Sequence, residues 1–159
     1  MKKIILFILF VLIFTGCSND KTASSGNTNL TSREVLEKVS PYLENLEYQD
    51  PKAYKSPNDF YKANLGLDET QVESAILYMG APNNNTGYFL MLTKKPETDS
   101  DLVLEKLKNI STGWIKTAEQ GYLEGNRDFP VIQKGNVFFL VSHYAPEKYT
   151  ELVELLENL

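Results

Sequence analysis

"SAILYMGAPNNNTGYFLMLTKK", residues 74–95, decides the fold. Two apolar runs, Ala75 to Met79 and Gly87 to Thr93, enclose Gly80 to Thr86, a stretch dense in Gly, Pro and Asn. Apolar runs of strand length on either side of a turn-rich segment predict an antiparallel hairpin. Neither run alternates between apolar and polar residues. Both strands are therefore expected to lie centrally in a sheet, with cover on each face. A second pair of runs lies downstream. Pro130 to Lys134 and Val137 to Ser142 flank Gly135-Asn136, and a Gly-x pair between apolar runs is the signal of a two-residue hairpin.

Helical patterns fill the space around these hairpins. Thr31 or Ser32 can cap a first helix with Glu34 in its first turn, where a carboxylate complements the helix dipole. Val35, Val39, Tyr42, Leu43 and Leu46 recur on one face, but Pro41 is expected to kink or break the helix. Glu47 to Ser56 reads as a loop, and Asn58 to Leu65 as a short helix ending at Gly66. After Pro96, Thr98, Asp99 or Ser100 caps a long helix with a buried stripe of Val103, Leu107, Ile110, Trp114 and Ala118. Gly113 lies inside it, and close packing of a neighbour is expected there. Gly121 to Gly125 ends it. Pro146 starts a last helix that buries Tyr149, Leu152, Val153 and Leu156. The order α-α-β-β-α-β-β-α gives an α+β domain: a mainly antiparallel sheet of about four strands, in two hairpins, with helices packed on it.

Upstream of Thr31 the composition changes. Lys2 and Lys3 precede Ile4 to Phe14, eleven residues without a polar side chain. This is the layout of a secretory signal, and it is short of the roughly 20 apolar residues of a spanning helix. The positive end is expected to stay inside. Phe14-Thr15-Gly16-Cys17 follows, with the chain's single cysteine last. Small residues suit a signal peptidase, and a cysteine at the new first position can take a diacylglyceryl group as a thioether through its thiolate. The pattern resembles a bacterial lipoprotein lipobox, with Phe14 where that motif usually has an aliphatic residue. The competing readings are a plain secretory signal with an incidental cysteine, or a buried free thiol.

Residues 1–16 are thus expected to be a cleaved signal peptide, and 17–30 a lipidated Cys17 with a flexible polar tether. About 13 tether residues reach roughly 20 Å. Two acyl chains, of the palmitate kind, give a lasting hold on a bilayer, at about 0.8 kcal/mol per buried methylene. Residues 31–159 form one domain by size. With no other cysteine, that domain has no disulfide and no thiolate metal site.

Charge excludes one class of partner. The chain has 16 basic and 21 acidic residues, and removing Lys2 and Lys3 leaves 14 against 21, a formal charge of −7. An acidic domain lacks the basic footprint of nucleic-acid binding. Residues 64–95, "NLGLDETQVESAILYMGAPNNNTGYFLMLTKK", and 122–153, "YLEGNRDFPVIQKGNVFFLVSHYAPEKYTELV", carry a further likeness. With the long helix between them, from about Asn64 to Leu159, they resemble the family catalogued as domain of unknown function 4358. Its members are mostly small lipoproteins or secreted proteins of Gram-positive bacteria. The resemblance implies the fold and the anchored setting; it implies no activity, cofactor or catalytic residue.

Chemistry is sparse in the sequence. His143 is the only histidine and follows Ser142 at a strand end. Adjacent strand residues point to opposite faces, so Ser142 is badly placed to serve it as a nucleophile. A strand-end histidine at the surface is the expectation. Asp99 and Asp101 read as helix capping, since they lack the alternation, Gly and distal Glu of a calcium loop. No metal, cofactor or catalytic set is expected. Asn83, Asn84 and Asn85 are the candidate contact residues, since their amides can bond a sugar or peptide, with Tyr78 and Tyr88 as flanking platforms. The alternative is that Asn serves the turn geometry alone. Tyr42, Tyr48, Tyr54 and Tyr61 cluster in the first third, and an exposed subset would suit a contact surface. The expected role is a non-catalytic interaction module of the cell envelope, held on the extracytoplasmic face of the membrane and facing an envelope protein or wall component. A receptor for a small metabolite, peptide or wall fragment is the alternative, and an unrecognised hydrolase a third.

Overall fold

The computed structural model describes residues 31–80, 87–119, 129–143 and 145–159. The elements are α1 (Ser32–Val39), β1 (Leu46–Tyr48), α2 (Pro57–Leu65), β2 (Val72–Gly80), β3 (Gly87–Lys94), α3 (Ser100–Glu119), β4 (Val131–Lys134), β5 (Val137–His143) and α4 (Pro146–Glu157). The α+β class and the two hairpins stand as the sequence indicates. One antiparallel sheet runs in the order β1-β2-β3-β5-β4. It has five strands, because the segment read as a loop from Glu47 contains the end of β1.

The two hairpins join along β3 and β5, where Gly87 to Thr93 pairs with His143 to Val137. Each central strand buries both faces. Tyr88, Leu90 and Leu92 of β3, with Phe138 and Leu140 of β5, meet Phe60, Leu65, Val103 and Leu107 of α2 and α3. Phe89, Met91, Phe139 and Val141 meet Val35 and Val39 of α1 and Leu152 and Leu156 of α4. The result is helices on both faces of the sheet and two apolar layers. A bulge between Val72 and Ser74 changes the register of β2. It lets Val72 join Ala75 and Leu77 in the α2/α3 layer while Glu73 stays exposed.

The helix ends follow from local chemistry. Thr31 caps α1 in a reciprocal box: the Glu34 amide donates to its Oγ1 at 3.3 Å, and its own amide donates to Glu34 Oε2 at 2.7 Å. Pro41 ends the helix, since proline has no amide to bond the Glu37 carbonyl. The Ser40 hydroxyl donates to that carbonyl instead, at 3.0 Å. A 3₁₀ turn over Ser40–Tyr42 and a left-handed Asn45 (φ 69°) then reverse the chain into β1. Leu46 therefore joins the α1/α4 layer from a strand, not from the helix face. Ser56, Pro57 and Gly66 frame α2 as cap, first residue and left-handed stop. Gly135 (φ 58°) takes the first central position of the β4–β5 turn. Gly113 departs from expectation. Among the described residues a Cβ there would meet nothing within 4 Å, so the close neighbour expected is not found. The side chain of Ala118 and the segment Gly121 to Gly125 lie outside the described residues.

Candidate functional site

Of the residues singled out by sequence, the structure describes Tyr78, Tyr88 and His143. Cys17 and the Asn83, Asn84 and Asn85 loop lie outside the described residues. Tyr88 is 3% exposed, and its ring lies 5.5 Å from that of Trp114. Burial pushes its phenol far above the ordinary range, as expected of a core hydroxyl. Tyr78 is on the other face. Register pairs Tyr78 with Phe89 and Met79 with Tyr88, so the two proposed platforms point into opposite layers.

Tyr78 has a different companion. It lies opposite Tyr48 across the β1–β2 ladder, with ring centroids 5.4 Å apart and planes tilted by 48°. The hydrogen-bond phase explains this closeness. The Gln49 amide donates to the Leu77 carbonyl at 2.9 Å, which makes Gln49 opposite Leu77 a bonded pair. Tyr48 opposite Tyr78 is then the alternate, non-bonded pair, the kind in which side chains come closest. The same phase turns the backbone N–H and C=O of Tyr48 outward along the free edge of the sheet. Tyr48 is 50% exposed and is the one large hydrophobic side chain so exposed among the described residues. Partial burial raises its phenol pKa first, then the Asp50 carboxylate and Tyr78.

The neighbouring tyrosines are committed elsewhere. Tyr42 donates to Glu151 Oε2 at 3.4 Å, bridging the 3₁₀ turn after α1 to α4. Tyr54 packs edge-on against Phe60, and its hydroxyl accepts from Asn64 Nδ2 at 3.1 Å. Tyr61 also meets Phe60 edge-on. The cluster of tyrosines therefore resolves into two packing groups, Tyr42 with Glu151 and Tyr54 and Tyr61 on Phe60, and one exposed ring. The sequence contained each tyrosine but not the Tyr48–Tyr78 pair, because a three-residue strand gives no period to read.

His143 is 2% exposed, not the surface residue expected. Its Nδ1 accepts the Ala145 amide at 3.0 Å, so the neutral ring carries its proton on Nε2. Burial, then the Lys148 cation, hold its pKa below the ordinary imidazole value against the pull of the Ala145 bond. Ser142 pairs with Tyr88 and His143 with Gly87, which places them on opposite faces. The Asp99 carboxylate accepts the Asp101 amide at 3.0 Å at the start of α3, a capping bond. Among the described residues no group of three or more His, Cys, Asp or Glu side chains is placed to hold a metal ion. No helix among them is long and apolar enough to cross a membrane.

Comparison with known proteins speaks to the N-terminus. Residues 1–18 match the family model described as prokaryotic membrane lipoprotein lipid attachment site. The match supports the lipobox at Phe14 to Cys17 and a chain anchored to a membrane by lipid. No curated protein and no solved structure matches the chain.

Proposed function

We propose that this chain is an extracytoplasmic lipoprotein whose folded domain is a non-catalytic binding module of the bacterial cell envelope. The match of residues 1–18 to a lipid attachment site carries it. Cleavage before Cys17 and acylation of its thiol would leave residues 18–30 as a tether. The domain from Thr31 would then stand about 20 Å from the bilayer surface. The resemblance of residues 64–159 to domain of unknown function 4358, a family of small anchored or secreted proteins, belongs to the same reading.

The contact surface in this reading is the β1 edge. The Tyr48–Tyr78 pair offers large, stiff aromatic area at low entropic cost, beside outward backbone groups. A partner segment from an envelope protein or wall component would lie against it. The buried His143, whose Nδ1 accepts the Ala145 amide, supports a binding role over a hydrolytic one. Intact-mass and lipid analysis of the membrane-extracted chain tests the anchored setting. The expected result is a chain beginning at Cys17 and carrying a diacylglyceryl thioether, with Cys17→Ala released from the membrane fraction. An unmodified Cys17 in the mature chain would overturn it.

A further inference from the structure

Strand β1 ends the sheet on one side. Tyr48 turns its backbone N–H and C=O outward there, and among the described residues no backbone group bonds either of them. A donor and an acceptor paired at one edge residue form a template for strand addition, since one residue of an antiparallel partner exchanges both bonds with it. Asp50, two residues on, is still extended, with φ −70° and ψ 117°. The strand-like backbone therefore continues past Tyr48.

Side chains set the chemistry of this edge. Tyr78, the partner of Tyr48, belongs to the α1/α4 layer. Alternation then puts Tyr48 and Asp50 on that face and Glu47 on the other. Burial first, then the Asp50 carboxylate, raises the Tyr48 phenol, so that carboxylate stands near the ring. Glu47 and Asp50 are both exposed. Among the described residues neither enters an ion pair, although Lys52 and Lys55 follow closely in the chain. Glu44, just before the strand, is held by Lys148 at 3.4 Å. The edge thus offers an exposed aromatic ring with one carboxylate outside any ion pair on each face.

We infer that the β1 edge receives a cationic peptide in extended conformation, added antiparallel as a further strand, an assignment that rests on the binding-module reading above. Register fixes its pattern, counted from the ligand residue that faces Tyr48. The residue two positions before it lies opposite Asp50, and the residue one position after it lies opposite Glu47 on the other face. A Lys or Arg at each meets a carboxylate, and the first also flanks the Tyr48 ring, which attracts a cation. The facing residue itself packs an apolar side chain on Tyr48, which Tyr78 backs at 5.4 Å. The pattern is Lys/Arg-x-apolar-Lys/Arg. A second copy of this chain does not supply it. Pairing two β1 edges about Tyr48 puts Leu46 opposite Asp50 and sets both Glu47 side chains on one face. Residues 17–159 also carry 14 basic against 21 acidic residues, so two copies repel.

A library of random twelve-residue peptides, displayed on mRNA and selected against the full-length chain in detergent, tests this. Enriched peptides should carry the pattern. Synthetic versions should protect the Tyr48 amide from hydrogen exchange. Glu47→Gln and Asp50→Asn should each weaken their binding by roughly two- to fivefold. Glu105→Gln, at an exposed position of α3, should leave it unchanged. All three are surface changes, and equal urea midpoints check that the variants fold. No enrichment, enrichment of acidic or uncharged peptides, an equal loss in Glu105→Gln, or an unprotected Tyr48 amide would overturn the inference. So would a chain that pairs with itself through Tyr48. Crosslinking from position 48 in cells separates the two levels. An adduct there without any enriched peptide removes the peptide ligand and leaves the binding module standing. Absence of both removes both.

Discussion

Gly87 of β3 lies against the backbone of β5. Its φ is 133°, and a Cβ there would lie 2.6 Å from the Ser142 carbonyl oxygen. Backbone opposes any side chain at this point, so no rotamer change relieves the contact. Gly87→Ala is expected to destabilise the domain by about 2–4 kcal/mol, seen as a lower urea midpoint. Gly113 is the opposite case. It lies inside α3, and among the described residues a Cβ there would meet nothing within 4 Å, so Gly113→Ala should stabilise by about 0.5–1 kcal/mol through helix propensity. Sequence alone does not separate the two glycines, since each stands beside an aromatic residue in an apolar segment. What separates them is the distance to the next strand. Thr31 and Glu34 illustrate the reverse, a feature readable at three-residue spacing. Their mutual hydrogen bonds hold the Glu34 carboxyl below its ordinary value, backbone bond first. The stabilisation this gives is present above the ordinary carboxylate pKa and is lost as pH falls through the folded one. Thr31→Ala should therefore lower the urea midpoint at pH 7 and lower it less at pH 3.

At the scale of elements, legibility tracks length and punctuation. The β4–β5 hairpin was readable because Gly135 stands between two apolar runs and takes the left-handed turn position. α2 was readable in the same way from Gly66 at its end, and α4 from Pro146 at its start. β1 was not. Leu46-Glu47-Tyr48 is too short to show a period, and Pro51 follows so closely that a loop is the natural reading. Its existence depends on β2 extending to Gly80, past the apolar run that marks the strand in sequence. The β2–β3 register puts Tyr78 and Tyr88 on opposite faces, and β1 then brings Tyr48 opposite Tyr78. The exposed ring of Tyr48 contributes little to the core. Tyr48→Ala should change stability by less than about 1 kcal/mol while weakening any partner held at this edge. Thermal unfolding beside a binding or crosslinking assay separates the two effects.

For the whole molecule, the two ends of the chain divide the work. Residues 1–18 match a lipid attachment site, and the α+β domain presents a short sheet edge with, among the described residues, one large exposed aromatic side chain. Two buried hydroxyls tie loops to helix α3 and its start. The Ser111 hydroxyl donates to the Phe129 carbonyl at 2.7 Å, and that of Thr98 to the Gln71 carbonyl at 2.9 Å. The His143 imidazole accepts the Ala145 amide at the start of α4. The most direct test places a photo-crosslinking residue at position 48 of the full-length chain in cells, with the same probe at the exposed Lys108 of α3 as control. A discrete adduct at position 48, weaker at 108 and lost when Cys17→Ala removes the anchor, is the expected result. Properly lipidated protein that crosslinks no more at position 48 than at 108 would contradict the account.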